Sequence, residues 1–136
     1  MTRIIAMLAV LLLALSGCSR LPTVQEAGGT GVYTVTLEQA NERLATVDGL
    51  VVLDVRTGDE FAAGHLPGAM QIDFYADDFE AQIAELDRGT SYLIYCAQGG
   101  RSGSAGGIMT ELGFTDVADM VAGFPSWADA GLPVEG

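Results

Sequence analysis

Two short apolar runs decide most of what this chain can become. Leu50-Val51-Val52-Leu53-Asp54-Val55 is β-branched and apolar except at Asp54, and Ser91-Tyr92-Leu93-Ile94-Tyr95 reads as another buried strand. A strand that is apolar on both faces must be covered on both, which favours a parallel sheet between helices over an antiparallel sheet with one wet side. The segments between these runs carry helix signals. Thr36 and Gln39 form a capping box ahead of Leu37, Ala40 and Leu44, which share one helical face. Thr57 and Glu60 form a second box, opening a short helix that Gly64 ends. Phe79, Ile83 and Leu86 mark a third helix, closed by Arg88-Gly89, and Ser102–Leu112 a fourth, stopped by Gly113. Tyr33–Thr36, Ala69–Ile72 and Asp116–Met120 complete the strands, and a short helix follows around Ser126–Ala130. Strands that alternate with helices predict an α/β fold, a parallel sheet with helices on both faces. The site of such a sheet lies beyond the carboxyl ends of its strands. Cys96 sits there.

The N-terminus belongs to a different regime. Arg3 precedes a 12-residue apolar run, Ile4–Leu15, too short to cross a hydrocarbon core of about 30 Å as a helix. The run has no polar face, so it suits the apolar region of an export signal better than a buried helix. Leu15-Ser16-Gly17-Cys18 resembles a bacterial lipobox. That resemblance implies removal of residues 1–17, lipidation of Cys18 and extracytoplasmic attachment to a bacterial membrane. Residues 18–32 then read as a flexible tether and 33–136 as the folded domain. Without residues 1–17 the chain carries 18 acidic side chains against five arginines, a formal charge of −13. Such a surface repels phosphate backbones, which excludes nucleic acid as a partner.

If Cys18 is lipidated, Cys96 is left alone in a compartment where unpaired thiols are oxidised. Its neighbourhood offers a chemical use for it. Cys96-Ala97-Gln98-Gly99-Gly100-Arg101 joins a buried strand directly to a helix N-terminus. Two glycines let successive amide N–H groups point into one concavity, and the helix start adds unpaired N–H groups with partial positive charge. A thiol in that cradle loses its proton readily, and the thiolate is the reactive species. Arg101, always charged, can fix an oxyanion in the cup or brace the loop's carbonyls.

From Tyr33 to Glu135 the chain resembles the single-domain rhodaneses, a family of sulfurtransferases. The resemblance rests on three blocks in order: Leu53-Asp54-Val55-Arg56 with Glu60–Ala69 (Glu-Phe-Ala-Ala-Gly-His-Leu-Pro-Gly-Ala), then Cys96–Arg101, then Gly123–Trp127 with Gly131–Val134. It implies that Cys96 attacks a small anionic sulfur donor such as thiosulfate and carries a persulfide to a thiophilic acceptor, cyanide or a thiol. The backbone of Ala97, Gln98, Gly99, Gly100 and Arg101 would cradle substrate and persulfide, with no cofactor. The related dual-specificity phosphatases and arsenate reductases have a longer loop, and the six residues here leave too small a cup for a tetrahedral phosphate. A non-catalytic binding or sulfur-carrier module on the same fold is the other alternative, but binding alone requires neither the cysteine nor the arginine. The chain departs from the family pattern at Ala122-Gly123, where many members carry two glycines, and at Gly103, Gly106 and Gly107. Each of those three costs its helix about 1 kcal/mol relative to Ala, and close packing on the sheet is the expected reason.

The remaining polar residues read as structure. His65, the one histidine, lies in a Gly-His-Leu-Pro-Gly turn and is expected to hold that turn, not to form a papain-like Cys–His pair. Asp54 is expected to brace backbone or Arg56, and Glu60 to cap its helix. Asp73, Asp77, Asp78 and Glu80 lack the glycine of a metal-loop turn and read as a solvated face, so no metal is expected. Trp127 and Phe124 read as a core plug.

Overall fold

The computed structural model describes residues 31–136. The expected signal segment, Cys18 and the tether up to residue 30 lie outside the described residues. The elements run β1 (Gly31–Thr34), α1 (Leu37–Thr46), β2 (Val51–Asp54), α2 (Gly58–Ala62), β3 (Met70–Gln71), α3 (Phe79–Ala84), β4 (Ser91–Tyr95), α4 (Gly100–Glu111), β5 (Asp116–Asp119) and α5 (Gly123–Asp129). The five strands form one sheet in the order β1-β5-β4-β2-β3, with every neighbouring pair parallel. The strand that ends at Cys96 is therefore the central one.

Both expected capping boxes form, at Thr36/Gln39 and Thr57/Glu60. Three elements start two or more residues earlier than in the sequence reading. The first strand starts at Gly31, two residues inside the expected tether, because its pairing with β5 is a backbone matter: Gly31 N–H reaches Thr115 O at 2.6 Å. Helix α4 starts at Gly100 instead of Ser102, so the cysteine loop runs into its first turn. Helix α5 starts at Gly123 instead of Ser126 and takes Pro125 into that first turn, where a missing N–H costs nothing.

Helices cover both faces of the sheet, as the apolar runs require. On one face Leu53, Val55, Tyr92, Ile94 and Val117 pack with Phe79 and Ile83 of α3 and Ala105 and Met109 of α4. On the other, Val52, Leu93, Tyr95 and Ala118 pack with Ala40 of α1 and Trp127 of α5. Side chains alternate along a strand, so Cys96 follows Tyr92 and Ile94 onto the α3–α4 face.

One of the helix glycines has a clear reason. A Cβ at Gly106 would lie 2.9 Å from Val32 Cγ1 and 3.7 Å from Ile94 Cδ1, so α4 sits closer to the sheet than an alanine there would allow. Gly107 faces open space. Gly107→Ala is therefore expected to stabilise the fold by about 0.5–1 kcal/mol through helix propensity. Gly106→Ala should destabilise it, because the stiff Val32 has to move. Urea midpoints of the two variants test this pairing, and equal stabilisation by both would refute the close-packing reason.

Candidate active site

The cysteine loop turns tightly at the carboxyl end of β4. Gly99 adopts a left-handed conformation, φ 84°, as the residue before α4, and no side chain caps that helix. The turn brings Gly99 N–H to 3.1 Å from Cys96 Sγ. Ser102, in the first turn of α4, places its hydroxyl oxygen 3.5 Å from Sγ and 3.3 Å from Gly99 O. Cys96 itself is only 1 % exposed. Burial pushes its thiol up, but the Ser102 hydroxyl and the backbone N–H groups of Ser102, Gln98 and Gly99 outweigh that and hold it below its ordinary value.

The loop is clamped from the far side by the turn after β5. Phe124 N–H donates to Cys96 O at 2.9 Å. Any Cβ at Gly123 (φ 76°) would overlap Ala97 O, and one at Gly99 would meet Val121 O at 2.7 Å. Gly123, the retained member of the Ala122-Gly123 pair, is thus the glycine the clamp needs, while Ala122 is exposed. The departure from a double glycine leaves the loop contact intact.

Below the loop lies a buried polar knot. Arg56 Nε reaches both Asp54 carboxylate oxygens at 3.0 Å, and Nη2 reaches Oδ2 at 2.6 Å. Tyr95 donates its hydroxyl to Asp54 Oδ2 at 2.6 Å and accepts Leu66 N–H at 3.1 Å. Arg56 also donates to Gly64 O at 2.7 Å, and its guanidinium lies 4.1 Å from the Phe124 ring centroid. The expected role of Asp54 as a brace for Arg56 is what forms, and it ties β2, the Gly64–Leu66 turn, Tyr95 and α5 together one residue before the thiol. Removing one partner of such a pair typically costs about 3–5 kcal/mol. Phe124 therefore covers Arg56, while Trp127 is the fully buried plug, its indole N–H donating to Pro133 O at 2.8 Å.

Arg101 is not free over the cup. Its Nη1 and Nη2 meet the two carboxylate oxygens of Glu60 at 2.7 and 2.8 Å, and its guanidinium carbon lies 5.6 Å from the ring centre of exposed Tyr75. Glu60 does double duty, closing the α2 capping box as expected and holding Arg101 across the site. Only the first of those roles was visible in the local pattern. His65 holds its turn: Nδ1 lies 3.0 Å from Phe61 O, the ring stacks on Phe61, and the backbone bridges to Glu135. Of the acidic group, Asp73 accepts Tyr75 N–H and Asp78 accepts the Gln82 side chain. A hollow of about 250 Å³ between Phe74, Asp77, Phe79, Glu80 and Ile108 is lined by no residue of the cysteine loop.

A family model, the rhodanese-like domain, matches residues 36–130. A protein of Allochromatium vinosum named sulfurtransferase is 29 % identical over 103 residues, covering 76 % of this chain and 94 % of that protein. The thiosulfate sulfurtransferase GlpE of Pseudomonas putida is 39 % identical over 90 residues, covering 66 % of this chain and 79 % of its own. Among solved structures, a rhodanese-related protein of Thermoplasma volcanium superposes with a TM-score of 0.66 at 26 % identity, over 75 % of this chain and 96 % of that one.

The Glu60–Arg101 contact has a measurable consequence. Arg101 holds the Glu60 carboxyl down to about 2, from an ordinary value of 4.5. The stabilisation this brings is present above pH 4.5 and is lost as pH falls toward 2. Glu60 is partly solvated, so the contribution is at most about 1 kcal/mol. Urea unfolding is expected to show wild type more stable than Glu60→Gln at neutral pH, with the difference vanishing near pH 2. A difference independent of pH would refute the ion pair as its source.

Proposed function

The chain belongs to the rhodanese-like domain family, and we propose on that footing that it moves sulfane sulfur from thiosulfate, or a similar small anionic donor, through a Cys96 persulfide to a thiophilic acceptor. Its relatives include sulfurtransferases and a protein named as a putative sulfur carrier, and at the level of the family it is a sulfurtransferase. One observation carries the finer reading: the Cys96 sulfur meets the backbone N–H of Gly99 in its own loop, and its pKa is held below the ordinary value.

The Cys96 thiolate attacks the outer sulfur of thiosulfate. A Cys96 S–S bond forms, the donor's own S–S bond breaks, and sulfite leaves with that electron pair. A nucleophilic acceptor then attacks the outer sulfur of the persulfide and Cys96 departs as thiolate, its charge again met by the loop amides. The persulfide extends the reach of the nearly buried Cys96 by one S–S bond, about 2 Å. Long-range charge opposes a dianion here, because the chain carries a formal −12. Attraction is local, from the amides of Ala97–Arg101 and from Arg101 at the rim. Glu60 offsets the charge of Arg101, so the amides bear most of it.

Steady-state turnover of thiosulfate with cyanide tests the proposal. Cys96→Ser, nearly isosteric, is expected to fold and to release no sulfite. Arg101→Ala should raise KM for thiosulfate only by roughly two- to fivefold, about 0.5–1 kcal/mol, because Glu60 already meets its charge and the loop amides remain. Added salt should lower the wild-type KM by screening general repulsion. Turnover by Cys96→Ser near the wild-type rate, or brisk aryl phosphate hydrolysis by wild type, would overturn it.

A further inference from the structure

Asp119 is a charged group without a structural job. It ends β5, is only 3 % exposed, and its Oδ1 is buried with no hydrogen-bond partner. Among the described residues no arginine or histidine forms an ion pair with it. Leaving a carboxyl in that state costs stability, which on β5 a leucine would avoid.

Its placement supplies a reason. Val117 lies on the α3–α4 face of the sheet and Ala118 on the other, so Asp119 returns to the face that carries Cys96. Asp119 pairs with Ile94 on β4, and Cys96 is two residues further along that strand. From strand spacing and rise the two positions are about 8 Å apart. Ser102 fills this gap. It is fully buried in the first turn of α4, with its hydroxyl 3.5 Å from Cys96 Sγ, and a Cβ on the adjacent Gly103 would meet Asp119 Oδ2 at 4.0 Å. Thr34 and Val35, which β1 brings to Asp119, are not ionisable. The nearest cation along the chain, Arg101, is committed to Glu60. Cys96 is thus the titratable group that shares this corner with Asp119.

We propose that Asp119 is a positioning residue for the nucleophile, taking up the proton that Cys96 releases by way of the Ser102 hydroxyl. The Cys96 S–H gives its proton to Ser102 Oγ while Ser102 O–H gives its own to Asp119. Thiol plus carboxylate becomes thiolate plus carboxylic acid, and the corner keeps one negative charge throughout. A hydroxyl rotates freely, so Ser102 can turn its proton from Gly99 O toward either partner. The two acidities are displaced toward each other. Burial pushes the Asp119 carboxyl up, with Ser102 opposing, while the Cys96 thiol lies below its ordinary value. Two groups coupled in this way titrate as a pair, not one at a time.

The proposal rests on Cys96 being the nucleophile, and its test needs no sulfur donor. Iodoacetamide alkylation of Cys96 is followed against pH by intact mass. Wild type is expected to rise in two steps, the first while the pair holds one charge and the second when both groups ionise. Asp119→Asn should rise in one step, with its midpoint between those two, and Ser102→Ala should need a higher pH for the same rate. A single step in wild type, displaced or not in the variant, would overturn the proposal. If Asp119→Asn does not fold, the Asp119 carboxyl carbon is followed by NMR in wild type and in Cys96→Ser. Two steps collapsing to one in Cys96→Ser support the coupling, and identical curves overturn it. Two-step alkylation by a chain that takes no sulfur from thiosulfate would leave this coupling standing and sink only the sulfurtransferase reading.

Discussion

The contact on which the site depends is the Gly99 N–H pointing at the Cys96 sulfur, 3.1 Å away. Helix α4 begins without a capping side chain, and its loop presents a backbone donor to the Cys96 sulfur in place of one. That arrangement joins two needs. The helix start gains an acceptor, and the thiol gains donors that offset the cost of its burial. It exists only if the loop is tight, and tightness is imposed from outside it. The β5–α5 turn presses against the loop backbone through Gly123 and Phe124, while Asp54, Arg56 and Tyr95 lock the end of β4 just before the cysteine. A nucleophile carried on a strand end inherits the rigidity of the sheet behind it.

Charge is handled locally in a chain that is acidic overall. The formal balance of −12 works against any anionic substrate at long range, so what counts is the field inside the cup. There the donors are backbone amides, which carry no counter-charge and need no partner. Arg101 supplies a full charge, but Glu60 meets it on the spot and Tyr75 flanks it. This corner is better suited to shaping the loop than to long-range attraction. The same economy applies at Asp119, where a buried carboxyl is tolerated beside a thiol because one proton can serve both.

Much of this was legible in the residues. The apolar runs at Leu50–Val55 and Ser91–Tyr95 demanded cover on both faces, and the two cores supply it. The capping boxes at Thr36 and Thr57 form as their spacing implies, because a cap is a local event. Cys96 at a strand end before two glycines announced a loop of inward-facing amides. What stayed hidden is long-range. Glu60 and Arg101 are 41 residues apart in the chain, and nothing near either one names the other. Asp119 looks like the ordinary polar end of a strand until Ser102 and Cys96 are seen on the same face. Gly31 and Val32 read as tether because glycine-rich sequence carries no strand preference, while ladder pairing with β5 asks only for backbone. Ser102 does carry a local signal, since a hydroxyl next after the loop arginine sits in the first turn of the helix, within reach of the cysteine sulfur.

The central claim is that Cys96, held by its loop amides, takes one sulfur atom from an anionic donor and gives it up again. Intact mass spectrometry of the wild-type protein before and after thiosulfate, and again after cyanide, reads this directly. The account predicts one added sulfur atom, mapped by peptide analysis to Cys96 and removed by cyanide. A Cys96 that still titrates as a free thiol, on a protein whose mass thiosulfate leaves unchanged, would contradict it.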